Sequence, residues 1–156
     1  MTEKIYVSRE GLEKMRADLV RMNEDRVRIA ETIEHARGLG DLKENAEYHA
    51  AKEAQAHLHA RIRDLEDKIT RAVLINHSEM DHTKALVGAT VRVLNRKTKK
   101  EVTYTLVSAV EADMASGKIS TKSPVGQALL GHEAGEVVVA KVPAGAIELE
   151  ILEISR

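Results

Sequence analysis

Residues 36–52 read ARGLGDLKENAEYHAAK and contain the chain reversal on which the fold depends. Gly38 and Gly40 stand on either side of Leu39. Closely spaced glycines end helices and permit a tight change of direction. Because apolar residues recur at alternating spacings of three and four on both sides of this segment, it predicts a tight turn between two long helices.

Each predicted helix carries a heptad stripe. The stripe before the turn consists of Leu12, Met15, Leu19, Met22, Ile29, Ile33 and Ala36, with Arg26 as its polar interruption. The stripe after the turn consists of Tyr48, Ala51, Gln55, Leu58, Ile62, Leu65, Ile69 and Ala72. Two such stripes joined by a short turn predict an antiparallel coiled-coil hairpin. Ser8 is the expected N-cap of the first helix, and each arm is expected to be about 45 Å long.

The second half of the chain shows the two-residue period of β-strands. Residues 76–84 (NHSEMDHTK) are polar and aperiodic, and they predict a linker. Two runs with alternating apolar residues follow, the first containing Ala89, Val91 and Val93 and the second containing Val102, Tyr104 and Leu106. Because these runs flank a basic turn at residues 95–100, they predict a β-hairpin.

A short helix and two further strands complete this half. Ser123 followed by Pro124 suits an N-cap and the first helical position, and Gly131 suits the end of the helix. Residues 136–142 and 146–155 are the two expected strands, on either side of a Pro-Ala-Gly turn.

The predicted fold class is α+β, with a coiled-coil hairpin followed by a small, mostly antiparallel β-sheet domain that contains one short helix. The predicted hairpin covers residues 1–75, the linker covers residues 76–84, and the second domain covers residues 85–156.

Composition argues against several classes of protein. The chain has 156 residues, a formal net charge of -1, 2% aromatic residues and no cysteine. So few aromatic side chains argue against a base-stacking platform for single strands, and the near-zero charge argues against a general duplex-DNA binder. Without cysteine there is no disulfide or thiolate zinc site. Since no signal-peptide pattern or membrane-length apolar run is present, the expected location is the cytoplasm.

Two acidic residues stand at the predicted tip of the hairpin. Asp41 and Glu44 are three positions apart, a spacing that places both carboxylates on one face of a helix. One interpretation is a capping box at the start of the second helix. The other is a Mg²⁺ site, because Mg²⁺ takes one or two carboxylates and completes its shell with water and phosphate oxygens. The two interpretations are compatible, since capping uses only part of a carboxylate's acceptor capacity.

Polar and basic side chains surround the two acids. They are Arg37, Lys43, Asn45, Tyr48 and Lys52. The cations can contact phosphates, and the amide can contact a base or orient a water. The plain interpretation is that the cations aid solubility and that the tyrosine packs in the heptad seam.

Two other groups of side chains carry weaker signals. The basic cluster at residues 96–100 is typical of a solvated turn, although a contact with nucleic acid is also open. The seven histidines lack the four-residue spacing of a helical zinc site.

The tip segment GDLKENAEYHAAK resembles the tip motif of the GreA/GreB family of bacterial transcript cleavage factors. The likeness extends over nearly the whole chain. Residues 8–12 (SREGL) resemble the start of the family's first helix, and the segment from Arg61 onward resembles its second helix. Ser123 and Pro124, together with residues 129–131 (LLG), resemble its C-terminal domain.

This resemblance implies a transcription elongation factor whose partners are RNA polymerase and the 3′ end of backtracked nascent RNA. The coiled coil would enter the secondary channel of the polymerase as part of a monomeric factor. The C-terminal domain, similar to FKBP folds, would dock at the channel mouth, with Ser123 and Pro124 as candidate docking residues.

The resemblance also implies how the factor acts. The chain would not be an enzyme and would have no cofactor in isolation, and it would stimulate the polymerase's own Mg²⁺-dependent RNA hydrolysis. Asp41 and Glu44 match the family's acidic pair, which helps to hold a Mg²⁺ shared with the polymerase active site. Arg37 and Lys52 match positions of the family's basic patch that faces the RNA.

Two other functions fit parts of the sequence. The first is an adaptor that occupies the polymerase channel and only competes or inhibits, although the retained acids at the tip favour stimulation of cleavage. The second is a prolyl isomerase, suggested by the FKBP-like resemblance. Because Tyr104 is the one aromatic residue of the second half, the aromatic walls of a proline pocket are not expected.

Overall fold

The computed structural model describes residues 3–40, 45–76 and 81–156. The chain divides into two compact units, one built on Leu12–Ala72 and the other on Lys4–Gly11 together with Val73–Arg156. The predicted domain boundaries remain predictions, and residues 77–80 of the predicted linker lie outside the described residues.

Two long helices make up most of the first unit. Helix α1 spans Arg9–Arg37 and helix α2 spans Ala46–Arg71, which gives lengths of about 44 Å and about 39 Å at 1.5 Å per residue. Their buried side chains all belong to the predicted stripes and are Met15, Ile33, Ala36, Ala51, Leu58 and Ile62. Arg26, the predicted interruption, is exposed. These burial patterns confirm the helical hairpin.

Helix α1 begins at a capped serine, as predicted. The Ser8 hydroxyl oxygen accepts a hydrogen bond from the Gly11 N–H at 3.0 Å. The Ser8 N–H donates to a carboxylate oxygen of Glu111, also at 3.0 Å. A Cβ atom on Gly11 would lie 2.1 Å from the other carboxylate oxygen of Glu111. A side chain at position 11 would therefore displace the Glu111 carboxylate from its present position beside Ser8.

A two-stranded sheet contains the segments just before α1 and just after α2. Strand β1 (Ile5–Val7) pairs with strand β2 (Ala72–Leu74). The Ile75 N–H donates to the Val7 carbonyl at 2.9 Å, and the Val7 side chain is fully buried. The sequence did not predict these strands, because three residues are too few to show a two-residue period.

A five-stranded sheet forms the centre of the second unit, in the order β5-β4-β3-β7-β6. Its strands are β3 (Thr90–Asn95), β4 (Glu101–Val107), β5 (Lys118–Ser120), β6 (Val137–Val142) and β7 (Gly145–Ser155). The pairs β3–β4, β3–β7 and β6–β7 are antiparallel, whereas β4 and β5 are parallel. The sheet is therefore mixed and mostly antiparallel, and helix α3 (Pro124–Leu129) completes the predicted α+β class.

The core of the second unit is aliphatic. Alternate residues of the strands point into it, and its fully buried members include Val91, Val93, Leu106, Leu129 and Ile151. Burial of each such side chain adds about 1.5–3 kcal/mol to the free energy of unfolding, relative to leaving it exposed. Branched aliphatic side chains thus fill the space that aromatic rings occupy in many small domains.

Candidate functional site

Helix α1 ends at the two glycines, as predicted. The Gly38 N–H donates to the His35 carbonyl at 3.1 Å, and the Leu39 N–H donates to the Ala36 carbonyl at 3.1 Å. Gly40 has a φ of 138°, a value that residues with a Cβ atom rarely adopt. The last turn of α1 is thereby closed immediately before the acidic segment of the tip.

Asn45 connects the end of α1 to the start of α2. Its side-chain oxygen accepts a hydrogen bond from the Tyr48 N–H at 3.0 Å. Its side-chain nitrogen donates to the Ala36 carbonyl at 2.5 Å. The same amide therefore caps α2 and donates a second hydrogen bond to the Ala36 carbonyl, which also accepts from the Leu39 N–H.

The N-cap of α2 corrects one interpretation of the acidic pair. Helix α2 begins at Ala46, and its N-cap is Asn45. The prediction that Asp41 caps this helix, with Glu44 completing a capping box, is therefore wrong. Capping of α2 does not account for the presence of two carboxylates at the tip.

Three of the predicted tip residues, Asp41, Lys43 and Glu44, lie outside the described residues. The structure describes the residues on either side of them. Arg37 is the last residue of α1 and is exposed. Lys52 is exposed on α2, and its ammonium group lies 3.3 Å from the side-chain oxygen of Gln55. Both cations thus lie on the surface of the helices that bracket the acidic segment.

Tyr48 lies at a stripe position and is half-buried. Its ring centroid is 5.6 Å from that of His49, in an edge-to-face arrangement. Such pairs are stabilising beyond simple area burial. The geometry is compatible with the interpretation of Tyr48 as a seam residue.

The second predicted site lies at the start of α3. The Ser123 hydroxyl oxygen accepts from the Gly126 N–H at 3.1 Å, and the hydroxyl donates to the Ser120 carbonyl at 2.6 Å. Pro124 occupies the first turn and is exposed. Gly131, just beyond the helix, has a φ of 83°. The predicted cap and terminator are confirmed, whereas docking through Ser123 and Pro124 remains a prediction.

Side chains with clearly shifted pKa values lie in the second unit. Hydrogen bonds from Thr83 lower the pKa of Asp81, and a hydrogen bond from the Glu133 N–H lowers that of Glu136. Hydrogen bonding to Glu153 raises the pKa of Arg92. These are local turn and ion-pair contacts, and none of them forms an acid–base pair poised for catalysis.

The part of the chain that the structure describes contains no cluster of three His, Cys, Asp or Glu side chains that could hold a metal ion. The metal site at Asp41 and Glu44 remains a prediction from the sequence, and its two carboxylates are donors of the kind that Mg²⁺ takes when phosphate and water complete its shell.

The double role of Asn45 yields a prediction about the tip. Asn45→Ala removes the cap of α2 and is expected to destabilise the first unit by about 1 kcal/mol. Asn45→Asp keeps the acceptor for the Tyr48 N–H but loses the donor to the Ala36 carbonyl. It is therefore expected to destabilise the first unit less than Asn45→Ala does. Hydrogen exchange of the Tyr48 amide measures both effects. Equal protection of that amide in the alanine variant and the wild type would show that the cap does not stabilise the helix start.

Comparisons with known proteins cover both halves of the chain. The family model for the N-terminal part of transcription elongation factors matches residues 5–74. The model described as transcription elongation factor, GreA/GreB, C-term matches residues 80–156.

Curated relatives match over almost their whole length. Transcription elongation factor GreA of Amoebophilus asiaticus is 46% identical over 151 residues, which cover 96% of each chain. The GreA of Thermodesulfovibrio yellowstonii is 45% identical over 156 residues, which cover 99% of each chain. Among solved structures, the GreA factor homolog 1 of Thermus thermophilus is 27% identical, with a TM-score of 0.46 and coverage of 99% of this chain and 100% of that chain.

A search of the described residues for a helix both long and apolar enough to span a membrane found none.

Proposed function

The chain belongs to the GreA/GreB family of transcription elongation factors, and we propose that it stimulates RNA polymerase to cleave backtracked RNA. The observation that carries this proposal is the pair Asp41 and Glu44, whose positions in the sequence fall between Arg37, the last residue of α1, and Asn45, the cap of α2. Since Asn45 fills the role of cap, the two carboxylates call for another explanation, and metal-dependent hydrolysis provides one.

The proposed chemistry is assembled between two proteins. Asp41 and Glu44 would hold a Mg²⁺ ion together with groups of the polymerase, which suits an ion that completes its shell with water and phosphate oxygens. When bound, Mg²⁺ supplies Lewis acidity for phosphodiester hydrolysis. Two carboxylates alone do not make a complete centre. The chain therefore acts in trans and is not itself the nuclease.

The hairpin delivers these carboxylates. Helices of about 44 Å and about 39 Å with a single narrow seam of buried side chains suit insertion into the secondary channel of the polymerase. Asn45 fixes the register of the two helix ends through Ala36 and Tyr48.

Basic residues of the tip complete the proposed RNA contact. Arg37 and Lys52 are exposed on either side of the acidic segment, where cations can contact the phosphates of an extruded 3′ end. Lys43 lies within the segment and serves the same purpose, and Tyr48 supports the base of the tip from the seam. Asn45 acts as a positioning residue, since both polar atoms of its side chain are engaged within the chain.

The second unit is proposed to dock on the polymerase. Ser123 and Pro124 begin α3, and Pro124 presents an exposed ring whose backbone is fixed by the Ser123 cap. One monomeric chain then suffices to position one tip in one channel. RNA polymerase of bacteria works in the cytoplasm, and we place the action of this chain there.

Assembly in trans predicts weak metal binding by the free protein. Two carboxylates leave most of the Mg²⁺ ligands to water, so the expected dissociation constant is about millimolar or weaker. Isothermal calorimetry of the free chain with MgCl₂ measures it, and Asp41→Asn serves as the matched control for site-specific heat. Stoichiometric micromolar binding that this substitution abolishes would show a self-contained site and contradict assembly in trans.

A stalled elongation complex with 3′-extruded RNA tests the proposed function. The expected result is faster, Mg²⁺-dependent shortening of the RNA when the chain is added. Binding to the polymerase without any shortening would instead establish the channel-occupying adaptor.

A further inference from the structure

The turn between β3 and β4 concentrates positive charge. Residues 95–100 read NRKTKK, and Arg96, Lys97, Lys99 and Lys100 are all exposed. Within residues 3–40, 45–76 and 81–156, none of these four side chains forms an ion pair. Arg92 on the adjoining strand differs, because it bridges Glu101 at 3.3 Å and Glu153 at 3.1 Å. The cations of the turn are therefore available to an external anion.

The backbone of this turn is fixed by hydrogen bonds. The Asn95 side-chain oxygen accepts from the N–H groups of Lys97 at 3.0 Å and Thr98 at 3.2 Å. The Lys99 N–H donates to the Asn95 carbonyl at 2.8 Å. Lys99 itself has a φ of 62°, a conformation that favours glycine or asparagine over lysine. A lysine at this position keeps a charge where the backbone alone favours a smaller residue.

The turn also forms one wall of a cleft. Arg96, Lys97 and Lys99 line the cleft on this side, and residues 146–148 of β7 form the opposite wall. The cleft has a volume of about 410 Å³. The Arg96 N–H donates to the Glu148 carbonyl at 3.1 Å, which joins the two walls. Glu148 supplies the one carboxylate of the lining. The cleft thus presents three cations against one anion.

The chemistry of the lining selects among anionic partners. Its residues include no aromatic side chain, so it offers no platform on which the bases of a single strand could stack. Duplex nucleic acid instead presents closely spaced phosphates on its outside, with one charge per about 1.7 Å of helix axis. We propose that this surface, the basic turn cleft (Arg96, Lys97 and Lys99 with residues 146–148, and the adjoining Lys100 of the same turn), makes a weak, local contact with the phosphate backbone of duplex nucleic acid without reading its sequence.

The charge balance of the chain fixes the expected strength of this contact. Residues 76–156 carry ten Lys and Arg and ten Asp and Glu, so the attraction is local to the cleft and the binding is weak. Four phosphate contacts would give a slope of about -3.6 in a plot of log affinity against log salt concentration. Affinity should therefore fall about 100-fold when the salt concentration rises from about 50 mM to about 200 mM.

Fluorescence anisotropy of a labelled duplex of mixed sequence, titrated with the full-length chain, tests the proposal. The double variant Lys97→Gln/Lys100→Gln is expected to reduce the steepness of the plot of log affinity against log salt concentration by about 1.8. Lys99→Gly removes one charge and also relieves the φ of 62°. It should therefore reduce the steepness by about 0.9 while stability to unfolding stays equal or rises, which separates lost binding from lost folding.

Matched controls remove equal charge elsewhere. Lys141→Gln alters an exposed residue of β6 that lies outside the cleft. Arg16→Gln alters an exposed residue of α1. The salt slope should stay unchanged in these variants, alone or combined.

Three results would overturn the proposal. The first is an equal change of slope in the controls and in the cleft variants. The second is tighter binding of a single strand of the same length. The third is a double variant that keeps its duplex affinity but loses affinity for RNA polymerase, since the cleft would then be a protein contact.

Discussion

Asp41→Asn and Glu44→Gln are each expected to reduce stimulated RNA cleavage by about 100-fold or more, the scale for removing one group that stabilises charge in a transition state. Each substitution keeps the size of the side chain but removes the negative charge through which a carboxylate binds Mg²⁺. The measurement is the rate of RNA shortening in a stalled elongation complex at fixed Mg²⁺ concentration, with polymerase binding measured on the same preparations.

The stability of these variants should change by no more than about 0.5 kcal/mol, since the cap of α2 is Asn45. Glu47→Gln is the matched control, because Glu47 is an exposed acid in the first turn of α2 and has no part in the proposed chemistry. It should retain most of the stimulation. Wild-type cleavage rates in both tip variants would remove the acidic pair from the mechanism.

Gly126→Ala is expected to destabilise the second unit by about 3 kcal/mol or more, at the upper end of the range for overpacked sites. A Cβ atom at this position would lie 2.0 Å from the Ser120 carbonyl oxygen. That oxygen cannot move freely, because it accepts hydrogen bonds from the N–H and the hydroxyl of Ser123. Relief of the clash would break the cap of α3 or displace Leu129, which is fully buried.

Amide hydrogen exchange of Ile151, in the core of the second unit, measures this effect separately from the helical hairpin. Gln127→Ala is the control, since it alters the neighbouring, exposed position of the same helix. Its stability should stay within about 0.5 kcal/mol of the wild type. Unchanged protection of Ile151 in Gly126→Ala would show that α3 adapts to the extra methyl group without loss of packing.

The hairpin could be predicted because one physical signal repeats along both helices. A residue such as Leu58 or Ile62 is buried when its neighbours three and four positions away share its face. The longer strands β3, β4, β6 and β7 were predicted for the same reason with a period of two. Strands β1, β2 and β5, of three residues each, form through pairing with distant segments, which no local pattern records.

The cap of α2 shows a second limit of local patterns. Asp41 with Glu44 and Asn45 with Tyr48 both have the spacing of a helix start, and the acidic pair also matches a capping box. Asn45 serves as the N-cap of α2 because its side chain also donates a second hydrogen bond, to the Ala36 carbonyl of the other helix. That contact arises only when the hairpin has closed. The close approach at Gly11 likewise involves a group far away in the sequence, the carboxylate of Glu111.

The most direct test of stimulation in trans compares two forms of RNA polymerase in backtracked complexes. One form is wild type, and in the other the metal-binding carboxylates of the polymerase active site have been replaced. The 3′ shortening of labelled RNA is followed with and without the chain, and binding of the chain is verified for both forms. Stimulation in trans predicts that the chain accelerates shortening with wild-type polymerase and produces none with the replaced form or with free RNA. Equal shortening with both forms, or binding without shortening in the wild type, would contradict it.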